Sequence, residues 1–367
     1  MVFDLDGVIC PLKEPGEKYS DLVPNSSVIK IITDLKKDGH YIIINTARHM
    51  RTCGGDVGMV VAKIGEATSE WLKQHDVPFD ELHFGKPYAD IYIDDMNVIY
   101  STPESLKRDI KSIMPNFVIP MAGRGERFLK AGYKTPKYMV KAGSKTLFEW
   151  ALEGIPLDLA NKLIFICLQE HEEKYNVTSF IKKTINDKYP FLNDKYIVIF
   201  IKKVTRGQAE TVLAAKKYIN NSTSLVIYNI DSYFSSSRLR QRLISAKNQK
   251  IDGILGVFYD NNPKWSFAKI NKKGFVSRTT EKNPISNIAS TGLYVFTEGM
   301  DFVNAVEYAL KTGMTTNDEF YIAPLYNILI KQNKKYIVDP VEEFWSLGTP
   351  EDLNFFVDNY LKAEKNN

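Results

Sequence analysis

The 367-residue sequence lacks several features, and each absence excludes a class of protein. It has three cysteines, Cys10, Cys53 and Cys167, which lie far apart and cannot pair completely, so no disulfide framework is expected. No apolar run approaches the roughly 18 residues of a membrane span. The opening segment MVFDLDG carries acids where a signal peptide needs a basic start and an apolar core. We therefore expect a cytoplasmic protein without a membrane role.

A strong charge of either sign is also missing. The formal net charge is +4, from 48 basic and 44 acidic residues that are well mixed along the chain. This balance does not favour a nucleic-acid-binding protein, which would concentrate Lys and Arg on one face. No internal repeat or low-complexity tract is present. The chain is too long for one ordinary domain and predicts two.

Short apolar runs alternate with helical patterns along the whole sequence. The runs are rich in Ile, Val, Tyr and Phe without strict alternation, which is typical of strands buried on both faces of a parallel sheet. The predicted strands are Tyr41 to Thr46, Asp90 to Asp95, Asn116 to Met121, Lys162 to Leu168, Tyr196 to Ile201 and Leu225 to Asp231. Helices are predicted from Ser27 to Gly39 and from Gly207 to Ile219. The pattern predicts an α/β fold, with ligands at the carboxyl ends of the strands.

The segment from Ser101 to Asn116 has a helical pattern followed by a proline. It separates two stretches that each carry their own motifs. We therefore predict two Rossmann-like domains, residues 1–114 and residues 115–367.

Acids, a threonine and a lysine mark the predicted strand ends of the first domain. Asp4 and Asp6 follow a brief apolar strand, Thr46 ends another, Lys86 precedes a third, and Asp94 lies at the end of that third strand. Carboxylates two residues apart on an extended backbone point the same way, so one can attack a phosphorus while the other moves a proton. Taken alone, the Asp-x-Asp-Gly string also fits a solvated strand end.

This order of Asp, Thr, Lys and Asp resembles the haloacid dehalogenase superfamily of phosphohydrolases. The resemblance implies that Asp4 is a nucleophile that becomes phosphorylated, and that Asp6 protonates the leaving oxygen and then activates water. Thr46 and Lys86 would bind the phosphoryl oxygens. A Mg²⁺ site would involve Asp4, Asp6 and Asp94, because a carboxylate can attack a phosphate dianion only when cations offset the charge.

The segments between these motifs are too short for a separate cap domain, so the predicted phosphohydrolase domain is capless and its site is open. The segment from Ala47 to Gly58 contains two Arg, one His and three Gly. We predict that it forms a substrate loop in which Arg48 contributes to binding.

A glycine-rich segment opens the second domain. Gly123 and Gly125 lie in AGRGERF after a predicted strand, where backbone N–H groups can approach phosphates, and Arg127 can hold a charged oxygen. The segment lacks the GK[ST] ending of a P-loop, and Phe128 stands where the dinucleotide fingerprint has its third glycine. By itself, the string also fits a structural turn.

Further short motifs follow in order, and the series resembles the sugar-phosphate nucleotidyltransferase family over about residues 116–360. They are Thr135 to Lys137, Arg206 to Ala209, Asn229 to Asp231, Glu281-Lys282, Ser290 to Tyr294, Asn317 to Tyr321 and Gly348 to Pro350. The resemblance implies a domain with a mixed sheet that uses Mg²⁺, an NTP and a sugar or polyol phosphate, and that releases pyrophosphate.

The same resemblance implies roles for individual residues. Arg127 and Lys137 would act in catalysis, with Lys137 at the α-phosphate, and Asp231 would bind Mg²⁺. Nucleotide or acceptor would be bound by Ala122, Gly123, Gly125, Gln208, Glu281, Lys282, Thr291 and Gly292. Gln208 would touch the base or ribose, and Lys282 the acceptor's phosphate. Considered separately, Asp231 also fits a strand-end cap, Gln208 an ordinary helix start and Lys282 a solvated charge.

One position departs from the family pattern. Relatives often carry a second metal-binding aspartate shortly before the late Gly-Thr pair, where this sequence has Ser346. Metal binding would then depend on Asp231, the phosphates and water, or on an acid not identified from the sequence.

Together, the two motif sets predict a bifunctional enzyme that makes a nucleotide-activated sugar or polyol for a surface polysaccharide. Its phosphatase site would act on a phosphorylated sugar-type precursor. The alternative is that only the transferase works, for example in cytidylyl transfer to a polyol or amino-alcohol phosphate, and that the first domain is a regulatory or docking module. The base is left open, as is self-association into a homo-oligomer.

Overall fold

The structure is a computed structural model that describes residues 1–37, 41–89 and 114–364. It divides into two compact units, Met1–Ile99 and Tyr100–Asn367. The predicted strand from Asp90 to Asp95, with Asp94, lies outside the described residues, as does most of the segment from Ser101 to Asn116. The domain boundary at residue 114 stays a prediction.

The first unit contains a small parallel sheet. Its order is β1 (Val2–Asp4), β2 (Ile43–Thr46) and β3 (Glu81–Phe84). Two helices connect the strands, α1 (Ser26–Lys37) and α2 (Val57–Gln74). Because the strands are parallel and adjacent, their carboxyl ends lie at one edge of the sheet.

Apolar side chains from all these elements form the core of the first unit. Ile44 of β2, Ile32 of α1 and Leu72 of α2 are fully buried. Trp71 packs among them, and its indole N–H donates to the Leu22 carbonyl oxygen at 2.8 Å. This core holds the sheet edge in place beneath the predicted site residues.

A nine-stranded mixed sheet forms the centre of the second unit. Its parallel part has the order β8 (Tyr196–Ile201), β7 (Lys162–Leu168), β4 (Asn116–Pro120) and β9 (Leu225–Tyr228). β14 (Ile288–Phe296) pairs antiparallel with β9, and also with β11 (Gly253–Tyr259) and β12 (Ser266–Ile270). β13 (Val276–Glu281) pairs with β12, and β15 (Tyr336–Pro340) with β11.

Both faces of this sheet are covered. Phe117 and Ile119 of β4 lie in one apolar cluster, whereas Val118 between them lies in another. Successive side chains of a strand point to opposite faces, so two cores pack on the two sides of the sheet. This explains why the parallel strands read as continuous apolar runs in the sequence.

The remaining elements complete the second unit. Its other strands form two small sheets: β5 (Lys141–Ala142) with β6 (Lys145–Thr146), and β10 (Ser232–Ser235) with β16 (Glu343–Ser346). Its helices are α3 (Glu126–Lys130), α4 (Leu147–Glu153), α5 (Gln169–Tyr175), α6 (Val177–Lys188), α7 (Gln208–Leu213), α8 (Lys216–Ile219), α9 (Leu239–Ser245), α10 (Gly299–Thr312), α11 (Leu325–Ile330), α12 (Pro350–Phe356) and α13 (Lys362–Glu364). No helix in the described part of the chain has the length and apolarity needed to cross a bilayer.

The single helix predicted from Gly207 to Ile219 is wrong, since α7 and α8 are separate. The N–H groups of Ala214 and Ala215 donate to carbonyl oxygens three residues back, on Thr211 and Val212. Bonds of this kind tighten the backbone and end the α-helical pattern. The helix predicted from Ser27 is found as α1, while Gly39 lies outside the described residues.

Candidate functional site

The strand order of the parallel sheet reverses next to β4. From β4 the chain moves outward to β7 and β8, and then returns to place β9 on the other side of β4. The carboxyl ends of strands at such a reversal form the crevice in which α/β proteins bind ligands. The glycine-rich loop follows β4 and the segment Asn229 to Asp231 follows β9, so both predicted motifs begin at this crevice.

A lysine and an aspartate meet at the crevice. Lys137 Nζ lies 2.6 Å from Asp231 Oδ2, with side-chain exposures of 20% and 27%. The Leu347 N–H donates to the Asp231 carbonyl oxygen at 2.8 Å and fixes this backbone. The structure therefore brings together the two predicted residues that would offset phosphate charge and hold Mg²⁺.

The glycine-rich loop leaves its polar groups accessible. Gly123 and Arg127 are exposed, while Ala122 is buried. Because the Ala122 side chain is a methyl group, only its backbone could hydrogen-bond a ligand. Gly125 adopts a left-handed backbone and is the N-cap of α3, whose first turn carries Arg127. No described residue forms an ion pair with the Arg127 guanidinium, which leaves it available to an anion.

An amide pair lies at the end of β9. Gln208, at the start of α7, donates its side-chain amide to Asn229 Oδ1. The Asn229 N–H donates to the Gly292 carbonyl oxygen at 3.2 Å, and a Cβ at Gly292 would come within 2.6 Å of Asn229 Nδ2. Gly292 is thus required to make room for Asn229. Sequence reasoning gave Asn229 no role, although its place two residues before Asp231 at a strand end was a usable signal.

Glu281 is the last residue of β13, and Lys282 follows it. Ser266 donates its hydroxyl to Glu281 Oε2. Burial raises the pKa of the Glu281 carboxyl, whereas the hydrogen bond with Tyr321 raises the pKa of Lys282. The Lys282 side chain is exposed, so its ammonium can meet a ligand anion.

Thr291, a predicted binding residue, is buried and only 2% exposed. Its hydroxyl accepts from the Leu293 N–H at 3.4 Å, and its carbonyl oxygen accepts from Ser232 Oγ at 3.1 Å. The structure therefore places the Thr291 side chain within the packing of β14 and not at an open surface.

The surroundings of Asp231 fit a Mg²⁺ ion bound together with phosphates. A Cβ at Gly348 would lie 3.5 Å from Asp231 Oδ2 and 3.8 Å from Ser346 Oγ, so glycine leaves open space beside both oxygens. Mg²⁺ prefers such oxygen ligands and keeps several waters or phosphate oxygens. Ser346 donates to Asp352 Oδ2 at 2.8 Å, and Asp352 also pairs with Lys264 at 3.1 Å. Asp352 is thus an acid beside Ser346 that the sequence did not identify.

The first unit gathers four predicted residues at its sheet edge. Lys86 forms an ion pair with Asp4, and the Lys86 N–H donates to the Thr46 carbonyl oxygen at 3.2 Å. Thr46 Oγ1 donates to Asp6 Oδ2 at 3.5 Å. The carboxyl ends of β1 and β2 thus present two carboxylates, a hydroxyl and an ammonium to one region.

Arg48 lies in a different environment from the predicted substrate contact. Its side chain has no exposed area, and its guanidinium donates to Asp6 at 2.9–3.0 Å and to Thr68 at 3.2 Å. The group also contacts Cys10 Sγ at 3.4 Å and lies 4.3 Å from the centroid of the Tyr19 ring. Burial raises the pKa of the Cys10 thiol to about 12. Arg48 therefore holds Asp6 from beneath the surface.

The oxygens of Asp4 and Asp6 suit a hard cation by their chemistry. Within residues 1–37, 41–89 and 114–364, no three His, Cys, Asp or Glu side chains form a group that could hold a metal. The third predicted acid, Asp94, lies outside those ranges.

Comparison with known families identifies the second unit. A family model described as Nucleotidyl transferase matches residues 117–362. This chain therefore belongs to the nucleotidyl transferase family. Sugar pyrophosphorylases of this family typically use Mg²⁺. The matched residues do not include the first unit, so the phosphohydrolase interpretation of that unit depends on the geometry described above.

Solved structures agree with this assignment. The chain is 32% identical to a nucleoside-diphosphate-sugar pyrophosphorylase from Vibrio cholerae RC9, with 66% of this chain and 100% of that chain covered and a TM-score of 0.57. A putative glucose-1-phosphate thymidylyltransferase from Bacillus anthracis is 18% identical, with 66% and 94% covered and a TM-score of 0.55. A UDP-glucose pyrophosphorylase from Acinetobacter baumanii is 17% identical, with 67% and 93% covered and a TM-score of 0.52. These last two show the fold alone. A search of curated proteins gave no match.

Proposed function

We propose that the second unit transfers a nucleotidyl group from an NTP to a sugar or polyol phosphate and releases pyrophosphate. The observation that carries this proposal is the contact between Lys137 and Asp231 at the crevice between β4 and β9. A phosphate-binding loop, a cation and a carboxylate meet there, as transfer between two phosphate compounds requires.

The reaction brings a triphosphate and a monophosphate together. An oxygen of the acceptor phosphate bonds to the α-phosphorus, and the bond from that phosphorus to the β-bridging oxygen breaks. Lys137 would offset charge on the α-phosphate, and Arg127 would hold the phosphates that leave. Asp231 would hold a Mg²⁺ ion, and that ion would offset further negative charge on the phosphate oxygens.

Two pairs of residues suit the two substrates. Gln208 and Asn229 offer amide groups that can hydrogen-bond a base or ribose, whereas Glu281 and Lys282 offer an acid for hydroxyls and a cation for the acceptor phosphate. A sugar phosphate as acceptor is also supported by the Vibrio cholerae pyrophosphorylase, given its 32% identity to this chain.

A substrate screen tests this function. The protein would be incubated with Mg²⁺, each NTP in turn and a panel of hexose, heptose, polyol and amino-alcohol phosphates, and pyrophosphate release followed. We expect release that needs both an NTP and one acceptor class. If no combination released pyrophosphate, the proposal would be wrong.

We also propose a second activity, phosphate-ester hydrolysis through a phosphoaspartate in the first unit. Two contacts at one edge of the parallel sheet favour this activity. Lys86 pairs with Asp4, and Thr46 and Arg48 contact Asp6. The two activities together would serve synthesis of an activated sugar for a surface polysaccharide. The alternative is a docking or regulatory unit without turnover.

Separate assays distinguish these alternatives. Asp4→Asn should abolish phosphate release from phosphorylated sugars and leave pyrophosphate release unchanged, while Asp34→Asn, an exposed acid on α1, should change neither. If the intact protein released no phosphate from any sugar phosphate or bisphosphate, the docking role would be favoured.

A further inference from the structure

Tyr321 contacts Lys282, the lysine that the proposed function assigns to the acceptor's phosphate. We infer that Tyr321 is a positioning residue that holds the Lys282 ammonium ready for the acceptor's phosphate. This inference depends on the proposed transferase function and adds a residue to which neither the motifs nor the comparisons give a role.

Lys282 is held at both ends. Its backbone has a φ of 54°, a left-handed conformation that costs energy for a residue other than glycine. Its N–H donates to the Trp265 carbonyl oxygen at 2.9 Å, which fixes that backbone. Its Nζ donates to the Tyr321 hydroxyl at 2.6 Å and lies 4.9 Å from the centroid of the ring. The exposed Lys282 side chain is therefore held in one orientation.

Tyr321 is fixed in turn by its neighbour in the chain. The Phe320 N–H donates to the Arg206 carbonyl oxygen, and the Ala209 N–H donates to the Phe320 carbonyl oxygen, both at 2.9 Å. A Cβ at Gly207 would lie only 2.5 Å from Phe320 backbone atoms, and the Gly207 φ is 148°. The backbone before Tyr321 is thus packed directly against the start of α7, which carries Gln208.

This arrangement reduces the cost of binding a phosphate. A free lysine side chain has many rotamers and loses that freedom when it pairs with an anion. Because Tyr321 already restricts Lys282, less freedom is lost when the acceptor binds. Tyr321 should therefore affect acceptor binding more than the chemical step or NTP binding.

The variant Tyr321→Phe keeps the ring and removes the hydroxyl. We expect the KM for glucose 1-phosphate, or for the panel member that gives most pyrophosphate, to rise about three- to tenfold. The kcat and the KM for the NTP should stay within about twofold. The control is Tyr308→Phe, which removes the hydroxyl of an exposed tyrosine on α10 and should change none of these constants.

An unchanged acceptor KM would overturn the inference, and so would equal increases in the two KM values, which would indicate a general structural role. A second readout does not need turnover. Lysines can be labelled as [¹³C]dimethyl-lysine, the Lys282 signal assigned by its loss in Lys282→Arg, and its pKa measured by NMR. The pKa should fall in Tyr321→Phe, because the hydrogen bond that raises it is removed. If wild type releases no pyrophosphate, the proposed function fails, and an unchanged Lys282 pKa would separately overturn the Tyr321 contact.

Discussion

Lys137 and Asp231 lie 94 positions apart in the sequence and form an ion pair of 2.6 Å in the structure. The pair joins the loop system after β4 to the segment after β9, across the reversal of strand order. Each partner is suited to a different ligand, Lys137 to a phosphate oxygen and Asp231 to a metal ion. Substrate and Mg²⁺ would therefore take over the contacts that the two residues make with each other.

Lys137→Gln tests the role of the cation. We expect pyrophosphate release to fall about 100-fold or more, which is typical when a group that stabilises transition-state charge is removed. The free energy of unfolding should change by less than about 1 kcal/mol, because the ion pair is partly exposed. Lys141→Gln, on the exposed face of β5, is the control and should keep full activity. A Lys137→Gln enzyme with more than about a tenth of the wild-type rate would contradict the assignment.

Gly292→Ala tests the space that Asn229 needs. Gly292 has a φ of 84°, and a Cβ there would lie 2.6 Å from Asn229 Nδ2. Gly274→Ala is a matched control, because Gly274 has a φ of 80° and nothing within 4 Å of its Cβ position. Backbone strain is thus similar at both sites, at about 1–2 kcal/mol. We expect Gly292→Ala to lower the free energy of unfolding in urea by about 2 kcal/mol more than the control, owing to the clash. Equal losses would show that Asn229 can move without cost.

Arg48→Met tests the buried support of Asp6. The substitution leaves a half-buried carboxylate without its cation, so the first unit should lose about 3 kcal/mol of stability. Hydrogen exchange of peptides around residues 1–10 and 41–48, followed by mass spectrometry, measures the loss within this unit. Arg51→Met removes an exposed arginine of the same loop and should leave exchange unchanged. Similar exchange in both variants would mean that Asp6 needs no buried partner.

His171 should make stability depend on pH. It is 7% exposed, lies 3.1 Å from the Tyr138 hydroxyl, and has a pKa that burial lowers below the ordinary 6.5. Below pH 6.5 the unfolded chain gains a proton that folded His171 resists, so the free energy of unfolding falls as pH decreases towards the folded pKa. Above pH 6.5 His171 is neutral in both the folded and the unfolded chain, so it makes no pH-dependent contribution. In His171→Gln, the loss of stability between about pH 7.5 and pH 5 in urea denaturation should be smaller than in wild type. An identical loss would contradict this account.

The strands whose bounds could be predicted are parallel strands of the nine-stranded sheet. Lys162–Leu168 and Tyr196–Ile201 have the predicted bounds, because continuous apolar runs mark strands covered on both faces. The antiparallel strands β12 and β13 were not predicted, since their exposed and buried residues are mixed and their partners lie elsewhere in the chain. The strand predicted to reach Asp231 stops at Tyr228, which leaves Asn229 and Asp231 in the crevice.

In the candidate site, too, some residues could be predicted from the sequence and others could not. Motif order pointed to Lys137 and Asp231, because short loops after parallel strands lie at one sheet edge whatever the rest of the fold. The contacts of Asp352 with Ser346 and of Tyr321 with Lys282 depend on the packing of distant segments, so no local pattern indicated them. The same holds for Arg48, whose loop position suggested exposure although its side chain is buried beneath Asp6.

The transfer of the α-phosphate is the most direct test of the central claim. Wild-type protein would be given Mg²⁺, an NTP labelled with ³²P at the α-position and the acceptor found in the screen, and the products separated. The account predicts that the label moves into a nucleotide-linked acceptor and that Lys137→Gln forms this product about 100-fold more slowly. Label that stays in the NTP, or that appears as a free nucleoside monophosphate with every acceptor, would contradict it.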